Sequence, residues 1–155
     1  MSLFSLYLEE VKKTTYHFSN YTKPDWDDEF GEIERTVEEI LYKDQPSKIQ
    51  KAKAKEILSK FKRAKSVVLT DSIWDNLENT DSNSLKIGDY KKSIALSKKY
   101  GRTIEWIFDA IKNNKQIPMP QILSTNGRYI LVGGNTRLMA FRVMGINPKV
   151  VLLTL

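Results

Sequence analysis

The chain has no cysteine. That absence excludes disulfides, thiolate catalysis and cysteine-ligated zinc, and it suits a reducing, cytoplasmic setting. Histidine is nearly absent too: His17 is the only one. A histidine metal cluster is therefore excluded. A Ser-His-Asp triad would have to use a residue remote in sequence from any serine elbow. No apolar run approaches the roughly 18 residues that span a bilayer, so no membrane partner is expected. The opening MSLFSLYLEEVKK has no basic lead and soon meets Glu9 and Glu10, unlike a secretory leader. No internal repeat and no low-complexity linker is present.

What remains is the composition of an ordinary globular protein, 41% hydrophobic and 28% charged over 155 residues. That length carries one domain with a real core and room for a small appendage. The net charge of +6 permits nucleotide or nucleic-acid binding without demanding it. Its distribution is uneven. Residues 1–47 are acidic, 48–65 hold eight basic side chains against one acidic, and 66–155 are mildly basic.

Apolar spacing predicts a helix over 3–18, a loop over 19–28, and a helix over 29–43 that carries Ile33, Val37, Ile40 and Leu41 on one face. Pro46-Ser47 opens a lysine-rich helix over 47–64. There Lys48, Lys51, Lys55, Lys62 and Arg63 are candidates for sequence-independent contacts to nucleic-acid phosphates. The alternative is a solvated surface face.

At Ser66 the composition changes. Residues 66–70 read as a strand, and 71–77 as a helical turn capped by Asp71. Asp89 is expected to cap a helix over 90–100 and Thr103 another over 104–114. Pro120–Ser124 and Arg128–Val132 should pair as an antiparallel hairpin around Asn126-Gly127, a type I′ turn signal. Val150 to Leu153 form a terminal strand.

The chemistry concentrates in GRYILVGGNTRLMAFRVMG, residues 127–145. Its order is strand, glycine turn, helix. Two glycines allow a sharp turn and close approach to a ligand. A helix N-terminus offers unpaired N–H groups and a positive dipole end, where a phosphate fits. Gly133, Gly134, Asn135, Thr136 and Arg137 are the candidate phosphate-binding residues, with Lys86 and Arg128 as weaker ones. The carboxylates of Asp71, Asp75, Glu78 and Asp81 follow the first strand. Asp75, Glu78 and Asp81 are candidates for catalysis as a general base, and Asp75 and Asp81 for binding Mg²⁺. Trp26, Trp74 and Trp106 read as core or rim anchors, with Trp74 also able to stack a base.

The segment PMPQIL, the hairpin, the box Gly134-Asn135-Thr136-Arg137 and the final strand together resemble the ParB/sulfiredoxin superfamily over about 66–155. The resemblance implies an α+β fold, a small mixed sheet with packed helices. It also implies a nucleotide site for ATP or CTP with Mg²⁺ at the box, serving phosphotransfer in a kinase or hydrolysis in an NTPase. Where many ParB-type boxes carry Glu, this chain has Asn135, which moves any base to the 71–81 carboxylates. The missing cysteine excludes sulfinate reduction. Residues 1–65 read as an N-terminal helical extension and 66–155 as the domain.

Three functions follow, in order: a nucleotide-binding phosphotransfer or NTP-hydrolysing protein; a DNA- or protein-binding module acting through the 48–63 helix; and a ParB-like metal-dependent nuclease. The partners expected are a nucleotide, DNA in the second case, and a second copy of the chain in a homodimer.

Overall fold

The computed structural model describes residues 16–155. The helix expected over 3–18 lies mostly outside the described residues, and Tyr16 to Asn20 within them are not helical. In chain order, β1 (Tyr21–Thr22) leads to α1 (Trp26–Thr36), which widens into one π turn (Val37–Leu41), and then to α2 (Ser47–Phe61). β2 (Lys65–Val68), α3 (Asp71–Asp75), β3 (Leu77–Glu78) and a 3-10 turn (Ser82–Ser84) follow. Next come α4 (Tyr90–Lys99), α5 (Glu105–Lys112) and β4 (Ile117–Pro118). β5 (Gln121–Thr125), β6 (Arg128–Gly133), α6 (Asn135–Val143) and β7 (Lys149–Thr154) complete the chain.

Five strands form one mixed sheet in the order β2-β7-β5-β6-β3, and β1 pairs with β4 in a separate parallel ribbon. The hairpin is the centre of the sheet. Asn126 and Gly127 both take positive φ, 49° and 75°, as a type I′ turn requires. β5 and β6 consequently pair antiparallel, Thr125 opposite Arg128. β7 runs parallel to β5, so the chain must cross over between β6 and β7, and α6 makes that crossing. The α+β class and the mixed sheet expected from the sequence are both present.

Alternation along the strands sends neighbouring residues to opposite faces. Ile122, Leu131 and Val150 join Trp74, Tyr90, Ile107, Phe108 and Phe141 in one core cluster under α3 to α6. Leu123, Val132, Val151 and Leu153 join Ile33, Val37, Ala54, Ile57 and Phe61 in a second cluster under α1 and α2. The two N-terminal helices thus form a full layer over one face of the sheet, sharing a buried core with strands drawn from residues 119–153.

Two caps differ from the sequence expectation. Thr70, not Asp71, caps α3, its Oγ accepting from the Ile73 N–H at 3.3 Å. Asp71 is the first helical residue, and its carboxylate accepts from Asn147 Nδ2 at 2.8 Å. α5 starts after Ile104, and Thr103 makes no cap. Asp89 precedes α4 as expected, but its side chain turns back to the Lys86 N–H at 2.8 Å and does not bond into the helix. Among the described residues no helix is long and apolar enough to cross a membrane.

Candidate functional site

β6 ends at Gly133, and α6 starts at Asn135. Between them Gly134 sits at φ 105°, a backbone state that L side chains rarely adopt. Space is as short as conformation. A Cβ on Gly134 would lie 2.7 Å from Pro120 Cβ, and one on Gly133 would lie 2.3 Å from Gln121 Oε1 and 2.6 Å from Glu29 Oε2. The two glycines let β6 turn into α6 against the PMPQIL segment. Gly134 caps α6 without a side chain, so among the described residues the first-turn N–H groups have no side-chain acceptor.

This turn borders a cleft of about 820 Å³. Gly133 to Arg137 form one wall, together with Asn79, Thr80 and Asp81 from the loop after β3. Asp28, Glu29, Glu32, Arg35 and Glu39 come from α1 and the π turn, opposite in sequence but adjacent in space. Tyr100, Arg102, Thr103 and Trp106, around the α4–α5 turn, close the third side. The volume falls in the range of ligand-binding clefts, roughly 300–1,000 Å³. Five carboxylates face three guanidinium groups there. Two of the three are already paired, Arg35 with Glu32 and Arg137 with Glu29. A bare polyanion would meet net negative charge, whereas a phosphate carrying a divalent cation would not.

Each residue of the GGNTR box has its own task. Asn135 Oδ1 accepts from the Asp81 N–H at 2.9 Å and from Thr80 Oγ at 3.1 Å, while its Nδ2 donates to Asp81 Oδ2 at 2.8 Å. The side chain therefore fastens the 79–82 loop to the start of α6. Behind it runs a chain whose direction is set by its ends, since indole N–H only donates and the amide oxygen only accepts. Trp74 Nε1 donates to Ser82 Oγ at 2.8 Å, Ser82 to Thr80 at 2.8 Å, and Thr80 to Asn135. Trp74 is 1% exposed and cannot stack a base, correcting that expectation. Thr136 lines the cleft, and among the described residues its hydroxyl makes no hydrogen bond.

Arg137 turns inward. Its Nη1 donates to the carbonyls of Pro118 at 2.7 Å and Met119 at 3.4 Å, and Nη2 lies 3.4 Å from Glu29 Oε1. It ties α6, the β4–β5 segment and α1 together. Burial pushes the Arg137 guanidinium below its ordinary value, with Glu29 opposing. Burial likewise raises Glu29 above the usual 4.5, with Arg137 opposing. For both partners desolvation outweighs mutual attraction, the familiar balance of a buried pair. Beside them, fully buried Gln121 donates through Nε2 to the Met119 carbonyl at 2.7 Å. That bond fixes the amide orientation and leaves Oε1, among the described residues, without a donor and close to Gly133.

The expected carboxylates part company. Asp81 lines the cleft. Asp75 lies outside it, exposed and 3.7 Å from Arg142, whose guanidinium sits 4.2 Å over the Trp74 ring. Glu78 lies at the opposite end of β6, holding Arg128 in a two-point pair at 2.9 and 2.7 Å. That pairing lowers the Glu78 carboxyl. Arg128 is thereby engaged, and Lys86 does not line the cleft. Asp75 and Asp81 thus have different partners, and among the described residues no three His, Asp or Glu side chains gather into a metal site.

The sequence reading missed Glu29, Asp28 and Glu32 as cleft residues. Their only signal was an acidic first turn, which also suits plain dipole complementarity. Lys48, Lys51, Lys55, Lys62 and Arg63 are all exposed on or just past α2, away from the cleft. Comparison of the chain with family models, with curated proteins and with solved structures finds no match.

Proposed function

We propose that the cleft binds a nucleoside triphosphate with Mg²⁺ and serves transfer or hydrolysis of its terminal phosphate. One observation carries this reading: the β6–Gly133–Gly134–α6 turn presents an uncapped helix N-terminus to a nucleotide-sized cleft. The first-turn N–H groups and the Thr136 hydroxyl are the phosphate donors, and Arg102 is the cleft's one arginine without an acidic partner among the described residues. Asn135 and Arg137 act behind them, holding the turn in shape. The strand–glycine–helix order is also what a ParB/sulfiredoxin-like site asks for.

Hard oxygen donors suit Mg²⁺, which commonly takes one or two carboxylates and completes its shell with phosphate and water. Asp81, held by Asn135 at the cleft wall, fits as that carboxylate. The acidic α1 wall then adds charge complementarity to the metal-bearing face of the ligand. Glu29, partly buried at the cleft wall and raised from its ordinary value by desolvation, is the candidate general base in place of Asp75 and Glu78. It would take the proton of an attacking hydroxyl or water as that oxygen bonds to the terminal phosphorus and the bond to the leaving diphosphate breaks.

Calorimetric titration with ATP, CTP and GTP, each with Mg²⁺, tests this on the wild type, Thr136→Ala and Asp81→Asn. Binding by the wild type that weakens in both variants and is lost on chelation is the expected result. No binding of any triphosphate by the wild type overturns the reading.

A second reading rests on α2. Lys48, Lys51, Lys55 and Lys62 follow one another at helical spacing, all exposed and, among the described residues, without an acidic partner. The stripe fits the phosphate backbone of DNA. Such binding should fall steeply between about 50 and 200 mM salt. A DNA probe that stays unshifted at the lower salt removes it.

A further inference from the structure

Six large apolar side chains are exposed among the described residues: Ile49, Val68, Ile87, Tyr100, Trp106 and Leu155. Only Tyr100 and Trp106 are aromatic, and both line the cleft. Tyr100 is the last residue before Gly101, and Trp106 is the second residue of α5. The tight turn at Gly101, φ 68°, joins the end of α4 to the segment leading into α5, and both rings line the cleft. Trp106 is 53% exposed and Tyr100 56%. Among the described residues neither ring packs on another ring and neither polar tip has a hydrogen-bond partner. The rest of α5 buries its apolar residues, Ile107, Phe108, Ala110 and Ile111, so Trp106 is the helix's one apolar side chain left out of the core.

Two exposed aromatic rings in one cleft lined mostly by polar and charged side chains raise the question of what covers them. Arg102 and Thr103 lie between the two aromatic residues in sequence and also face the cleft. A flat ring, a cation and a hydroxyl on one wall match a nucleobase with the sugar and phosphates attached to it. Thr136 and the Gly133–Gly134 turn line the same cleft and would take the phosphates.

We infer that Trp106, with Tyr100 beside it, is the nucleobase platform of the site, and that it recognises the base by stacking. The inference rests on the nucleotide reading and deepens it. Every base has a π face, so stacking distinguishes bases weakly and rewards ring area. ATP and GTP should bind within a few-fold of one another, and CTP more weakly than either. Loss of a stacked base typically weakens binding by about ten- to a hundredfold.

The test compares adenosine and Mg²⁺-bound ATP, GTP, CTP and inorganic tripolyphosphate on wild type, Trp106→Ala and Tyr100→Ala. Both rings are exposed, so the variants should fold; thermal unfolding checks each. Wild type should bind ATP about ten- to a hundredfold more tightly than tripolyphosphate. Trp106→Ala should bring ATP down to the tripolyphosphate level and leave tripolyphosphate unchanged, with Tyr100→Ala giving a smaller shift in the same direction. Equal affinity of wild type for ATP and tripolyphosphate overturns the platform while leaving the phosphate site standing. Equal weakening of both ligands by Trp106→Ala also overturns it. Adenosine binding as tightly as ATP keeps the platform and removes the phosphate site. Binding of none of them removes both.

Discussion

α1 and α2 do the same work in the core and opposite work at the surface. Both lie on one face of the sheet, α1 through Ile33 and Thr36, α2 through Ala54, Ile57 and Phe61. α1 carries acid in its first turn and turns Asp28, Glu29 and Glu32 into the cleft. α2 carries lysines and turns them to solvent. The residues that meet the candidate site therefore come from the helix whose charge opposes a phosphate.

The comparison breaks first in the core. If both helices are integral layers, Phe61→Ala should cost about 3–5 kcal/mol and Ile33→Ala about 2–5 kcal/mol, since each removes a side chain only 1% exposed. Denaturant unfolding measures both, and a loss confined to one variant would show that the other helix is a loosely held appendage.

The next largest effect lies in the Glu29–Arg137 pair, with side chains 17% and 13% exposed. Arg137→Ala leaves the partly buried Glu29 without its counter-charge and strips the Pro118 carbonyl of its side-chain donor, while Met119 keeps Gln121, a loss of about 1–3 kcal/mol. Glu29→Gln should cost far less, because the neutral amide escapes the desolvation that raises the carboxyl. pH separates the two further. Glu29 has its folded value raised above the unfolded one, so its contribution is present below about pH 4.5 and is lost as pH rises through the raised value. The wild type should therefore lose stability relative to Glu29→Gln as pH climbs through that window. Parallel pH profiles for the two proteins would contradict the burial account.

The smallest effect belongs to α2. Lys48→Glu with Lys55→Glu should change stability by no more than about 0.5 kcal/mol, as exposed residues without partners do. Nucleotide affinity should stay unchanged, because neither lysine lines the cleft. A change in nucleotide binding would move the site toward α2.

The local elements were legible in the sequence. The Asn126-Gly127 turn, the β5–β6 pairing, the glycine turn into α6 and the terminal strand all follow from short-range rules of backbone and spacing. The caps at Thr70 and Ile104 were not, since Asp71 and Thr103 have the right chemistry one residue away from the right place. The roles within the box were also hidden. Asn135 and Arg137 carry the groups a phosphate needs, but Thr80, Asp81, Pro118 and Glu29 claim them from 19 to 108 residues away. The same distance hid the α1 carboxylates and the exposed pair Tyr100 and Trp106, whereas Trp74 is the core anchor that its type suggests. Those depend on how two layers close on a sheet, and periodicity along one segment does not carry that information.

Backbone amide NMR during titration with Mg²⁺-ATP tests the central claim most directly. The account predicts saturable shifts at Gly134, Asn135, Thr136 and Arg137, with the α2 amides from Lys48 to Lys60 unmoved. Shifts confined to α2, or none at all, would contradict it.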